Sequence, residues 1–210
     1  MSRSSTQLSM AVLVTFCLLN TSTMAAESYD FADGTLQGWS KGHPLASPFT
    51  ADLNVVVTSD TPVAYMQAVD IVAGGGIIGA QAPASLSGDL TRLISVSWKE
   101  LLPVSAVVAS RISFDTSNGT YFRSDLTRIS PHSVWSPRSV SFESGEGWIR
   151  HAGTSDFMTA LANVTHLYIE LDVSGSLGFE AAVAEIEFAD DSDVATESVT
   201  FSELKVLYGR

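Results

Sequence analysis

A succession of short β-forming runs, each closed by turn residues, most constrains what this chain can fold into. Asn54–Thr58, Val63–Ile71, Leu93–Trp98, Ala106–Phe114, Tyr121–Leu126, Ser139–Phe142, Leu167–Val173 and Val199–Leu207 are rich in β-branched and aromatic side chains. Between them lie Ser59-Asp60-Thr61-Pro62, Gly74-Gly75-Gly76, Ser117-Asn118-Gly119 and Ser130-Pro131-His132, residues that favour turns. Asn118-Gly119, flanked by Ile112-Ser113-Phe114 and Tyr121-Phe122, is a hairpin signal because both residues accept positive φ. In Ile94-Ser95-Val96-Ser97-Trp98 and Val140-Ser141-Phe142 apolar residues alternate with serine, which gives a sheet one buried face and one wet face. The pattern predicts an all-β antiparallel sandwich with one short helix, Asp156–Ala162, capped by Ser155 and burying Phe157, Leu161 and Met158. No repeat or linker divides the chain, so residues 27–210 read as one domain.

Residues 1–26 read as a secretory leader. Arg3 precedes the apolar run Met10–Leu19, and the small residues Thr23 and Ala25 offer a cleavage site. That run is too short to span a bilayer, which takes about 20 residues. The single cysteine, Cys17, lies inside it, so the exported chain folds without a disulfide and relies on core size alone. The expected location is extracellular, or periplasmic in a bacterium, without membrane insertion.

The net charge of −12 argues against a nucleic-acid partner, because affinity for phosphate backbones comes chiefly from Lys and Arg. Acidity concentrates in Asp190-Asp191-Ser192-Asp193 with Glu185, Glu187 and Glu197. This reads as a solvated stretch, or as a calcium ligand set of closely spaced carboxylates. Gly74, Gly76 and Gly79 satisfy G-x-G-x-x-G in form, but Pro83 and Gly88 follow where a phosphate-binding helix is needed. His43, His132, His151 and His166 lie singly, without zinc-ligand spacing, and no G-x-S-x-G elbow is present. Glu100, Asp115, Glu143 and Asp172 are the carboxylates from which a glycosidase pair could be drawn. Among the aromatics, Trp39 and Trp148 read as core, whereas Trp135 at a strand entrance, then Tyr121 and Phe122 at the hairpin, are the candidate ligand-binding side chains.

Three segments together resemble the laminin B (laminin IV type A) domain. They are Trp135–Gly175, with its strand ending in Gly147-Trp148, its helix and its second strand entered through Asn163; Ala82-Pro83 with Leu86 and Gly88-Asp89-Leu90; and the opening Tyr29–Trp39. The resemblance implies a secreted, jelly-roll-like β-sandwich of the galactose-binding type, acting as a non-catalytic binding or adhesion module toward a glycan or matrix protein. A carbohydrate-binding module and a sandwich-fold polysaccharide-active enzyme are the alternatives. It also implies one structural Ca²⁺ held between Asp30 or Asp33 and a carboxylate on the last strand. The family's "GLDNV" pattern there is approximated by both Val183-Ala184-Glu185-Ile186 and Ser202-Glu203-Leu204-Lys205-Val206, which leaves Glu185 or Glu203 to serve.

Overall fold

The computed structural model describes residues 27–42, 51–70, 79–103, 110–119, 121–124, 131–171 and 178–191. They form twelve strands: β1 (Glu27–Tyr29), β2 (Ser40–Lys41), β3 (Ala51–Val57), β4 (Ala64–Asp70), β5 (Gly79–Gln81), β6 (Leu93–Leu101), β7 (Arg111–Thr116), β8 (Tyr121–Ser124), β9 (Ser136–Ser141), β10 (Trp148–Ala152), β11 (Val164–Glu170) and β12 (Gly178–Asp190). A 3-10 turn, Ala84–Leu86, and one helix, α1 (Phe157–Leu161), complete the elements. Every strand pairing is antiparallel. One six-stranded sheet runs β3-β4-β12-β6-β9, with β1 also on β12; the other runs β10-β8-β7-β11-β5-β2. We call them the β12 sheet and the β11 sheet.

The expected sandwich is what the chain forms, and alternation explains how. Met66, Val183, Trp98 and Val140 project inward from the β12 sheet, and Ile112, Phe114, Leu167 and Ile169 from the β11 sheet, into one shared core. Burying side chains of this size contributes roughly 1.5–3 kcal/mol each, which is how a chain with a single cysteine can hold two sheets together. The residues between them on each strand, such as Ser95, Ser97 and Lys99, point away from the core.

Several boundaries differ from the sequence expectation. β12 is the longest strand and the centre of its sheet, although Ala181-Ala182-Val183-Ala184-Glu185 carries little intrinsic strand preference. The strand expected over Val199–Leu207 lies outside the described residues. Helix α1 is capped by Asp156, not Ser155: the Asp156 carboxylate accepts from Thr159 N at 2.9 Å. Met158 is exposed, and the buried residues of α1 are Ala160 and Leu161. At the β7–β8 hairpin only Gly119 takes positive φ, at 75°. Gly79 opens β5 rather than leading to a helix, so the glycine run has no phosphate-binding geometry at that point.

Candidate functional site

Each sheet has an outward face, and the chemistry-bearing side chains divide between the two. On the β11 sheet the register aligns Ser40, Gln81, Tyr168, Ser113, Arg123 and Ile149 in one cross-strand row. A neighbouring row carries His166, Asp115, Tyr121 and Ala152, and on the other side Glu170 pairs with Arg111. Because Ile112, Phe114, Leu167 and Ile169 face the core, the intervening residues of β7 and β11 face out.

Asp115 lies at the centre of this face. One carboxylate oxygen accepts from Thr165 Oγ1 at 2.7 Å and lies 3.3 Å from His166 Nδ1; the other is 3.5 Å from the Tyr168 hydroxyl. The Asp115 side chain is 18% exposed and that of His166 47%, so the pair is reachable from solvent. Tyr168 is 4% exposed and lies outside the core cluster. Gly42 passes so close to it that an added Cβ would meet Gln81 at 2.7 Å and Tyr168 at 3.2 Å. Ser113 Oγ and Arg111 Nε are buried without a hydrogen-bond partner within the described structure. A carboxylate, an imidazole, an amide, a phenol and an unpaired hydroxyl thus converge on one face.

The aromatic candidates from sequence lie on different sheets. In the β8–β7 register Tyr121 pairs with Asp115 and Phe122 with Phe114. Trp135 belongs to the opposite sheet: it is half-buried, and its ring lies 5.3 Å from that of Tyr65 on β4, tilted by 59°. Trp39 is enclosed, edge-on to Tyr29 at 5.5 Å. Trp148 packs against Phe114, Phe142 and Phe157 while its indole N–H donates to Ser141 O at 2.8 Å. The sequence offered no signal for the Asp115–His166–Tyr168 group as a unit, because a strand pairing 50 residues apart brings it together.

The carboxylates considered for hydrolysis are likewise dispersed. Glu100 is fully buried between the sheets, where it accepts from Ser110 N at 3.0 Å, from Ser110 Oγ, and from Arg138 Nε at 2.5 Å. Trp98 Nε1 donates to the same Ser110 hydroxyl at 2.8 Å. Glu143 is exposed on a loop, and Asp172 lies outside the described residues.

The expected calcium ligands are also accounted for by other partners. Asp30 accepts from Ala32 N and Gln37 Nε2, and Asp33 from Thr35 N and Thr35 Oγ1. These donors, the backbone N–H first in each case, hold both carboxyls below the usual range. Glu185 sits on a bulge of β12 with φ 49° and pairs with Lys99 at 2.6 Å, an ammonium where a cation would have to sit. Glu203 lies outside the described residues. Among the described residues no three His, Cys, Asp or Glu side chains gather to hold a metal. The acidic stretch is only partly solvated: Asp190 is 1% exposed, and Asp191 pairs with Arg92 at 2.6 Å.

No protein-family model matches the sequence. No curated protein sequence matches it either. Among solved structures, the solution structure of CtCBM11 superposes with a TM-score of 0.50 at 16% identity, covering 81% of this chain and 98% of that one. The Family 11 carbohydrate-binding module of cellulosomal cellulase Lic26A-Cel5E of Clostridium thermocellum gives 0.48 at 17%, with 80% and 96% covered. The L4b domain of human laminin alpha-2 gives 0.46 at 8%, with 74% and 99% covered. At these identities the likeness to CtCBM11 is one of fold: an antiparallel β-sandwich spanning nearly all of that module. The laminin B resemblance rests on the sequence motifs quoted above.

Proposed function

We propose that this protein is a secreted, non-catalytic carbohydrate-binding module whose ligand face is the outward side of the β11 sheet. The observation that carries this is the solvent-reachable Asp115–His166 pair beside half-buried Gln81 on that face, with Tyr168 and Ser113 buried next to them. Sugar hydroxyls are donors and acceptors at once, and they need a fixed array of both. Asp115, oriented by Thr165, supplies the charged acceptor; Gln81 and the imidazole of His166 supply donors and acceptors. The sandwich likeness to CtCBM11 agrees with a binding rather than a chemical role, although fold alone does not decide function.

The test is a glycan array of plant, microbial and matrix polysaccharides, with matrix proteins spotted alongside, followed by titration of the best ligand. Asp115→Ala is expected to weaken binding about tenfold or more, the value of a hydrogen bond to a charged group, and His166→Ala to weaken it less. Unchanged affinity in both variants, with unchanged melting temperatures, would remove the β11 face from the reading. Exclusive capture by a matrix protein would replace the glycan with that partner.

A further inference from the structure

The other sheet carries a second polar array that the reading above leaves unused. Ser28 of β1 pairs with Glu187 of β12, Glu187 with Ser97 of β6, and Ser97 with Ser139 of β9. Since Phe188, Val96 and Val140 face the core, this whole row faces out. With strands about 4.8 Å apart, it spans on the order of 14 Å. None of the four side chains hydrogen-bonds to any other part of the described protein. A depression of about 340 Å³ opens over Ser28, Glu187 and Ser97, also lined by Glu27, Ser95 and Ala189.

Two residues further along β6 the surface becomes aromatic. Tyr65 of β4 and Trp135, in the loop just before β9, are both half-buried, and their rings lie 5.3 Å apart although β12 and β6 separate β4 from β9. The outward positions between them on β12 are Ala182 and Ala184, which are fully buried yet lie outside the core cluster. Small side chains there let the rings lie low across the sheet, and the Lys99–Glu185 pair separates the rings from the serine row.

We infer that this face is a second binding surface for a neutral polysaccharide, so that one molecule joins two glycan chains on opposite sides. The inference rests on the carbohydrate reading above. The half-exposed rings suit the C–H face of a pyranose. Next to them, hydroxyls at one-strand intervals and the Glu187 carboxylate meet the sugar hydroxyls. The carboxylates Glu27 and Glu187 disfavour an anionic polymer. Two faces on one rigid sandwich make a bridge, and attachment at one raises the local concentration at the other.

The experiment is calorimetric titration of the purified protein with mixed-linkage β-glucan and xylan oligosaccharides, with turbidity measured on the long soluble polymers. The wild type is expected to bind two oligosaccharides and to cross-link the polymer. Trp135→Ala and, separately, Glu187→Gln should remove or weaken one site at least tenfold, and Asp115→Ala the other; turbidity should fall in all three. Glu187 is exposed, so its variant keeps the test valid if Trp135→Ala unfolds. A single site abolished by Asp115→Ala but untouched by Glu187→Gln and Trp135→Ala would overturn this inference and leave the first reading intact. Binding that follows only Trp135 and Glu187 would sink the first reading and with it the bridge. No binding of any saccharide would end both.

Discussion

Arg138→Met is the substitution whose cost the structure sets most directly. Glu100 is 0% exposed, and the Arg138 side chain is 11% exposed. With the guanidinium gone, Glu100 keeps Ser110 N and Ser110 Oγ on one oxygen but loses its countercharge on the other. Breaking a buried pair from one side costs about 3–5 kcal/mol, a large share of the roughly 5–15 kcal/mol by which domains are stable. Removing both charges, with Glu100→Leu added, leaves chiefly the Ser110 N–H without an acceptor, about 1–3 kcal/mol. The double variant is therefore expected to be more stable than Arg138→Met alone. Urea unfolding followed by tryptophan fluorescence reads both, with the slope unchanged and only the midpoint moved. A single variant costing less than about 1 kcal/mol, or a double variant less stable than the single, would refute the view that the countercharge holds Glu100 between the sheets.

Trp39→Ala is expected to cost about 3–5 kcal/mol, because the enclosed ring leaves a cavity beside Tyr29; an unmoved denaturation midpoint would mean the ring is dispensable. Asp30, Asp33, Asp89 and Asp156 all have carboxyl pKa values lowered by hydrogen bonds from neighbouring residues. Their stabilisation is present above the unfolded value of about 3.9 and is lost as pH falls through the lower folded values. Melting temperature should therefore drop with acidification below about pH 4, and Asp156→Asn, which keeps the helix cap, should melt above Asp156→Ala. Calcium should leave the melting temperature unmoved, since Glu185 is held by Lys99; a rise abolished by Asp33→Ala would assemble the site with Glu203 instead.

The fold was legible wherever alternation matched a half-buried strand. From Ser95 to Leu101 the buried and outward residues of β6 fall where period two puts them, while Leu93 is buried out of phase at a register shift against β12. The short β1, β2 and β5 carry too few residues for any period to show. β12 was offered only through the resemblance, at Val183–Ile186, and not by its own pattern: its alanines and glutamates favour helix, and its place between β4 and β6 makes it a strand. The binding residues were less legible still. Asp115 and His166 look ordinary along the chain, because what distinguishes them is a cross-strand register. Trp135 and Tyr121, chosen together for their aromatic rings, belong to opposite sheets, a separation that no local pattern encodes.

β12 holds together pieces of chain that are far apart in sequence. It pairs with β1 at one end of the described chain, with β4, and with β6, and every one of those partners is made before it. Until residues 178–190 are available, β4 and β6 each present an unpaired edge, and β1 has nothing to join. A growing or threading chain therefore stays open through most of its length and closes late, in one step dominated by long-range contacts, which places it among the slower folders. During that interval the apolar faces of β4 and β6 are open to neighbouring molecules. The same arrangement makes β12, rather than the aromatic core, the part of the chain that a deletion can least spare.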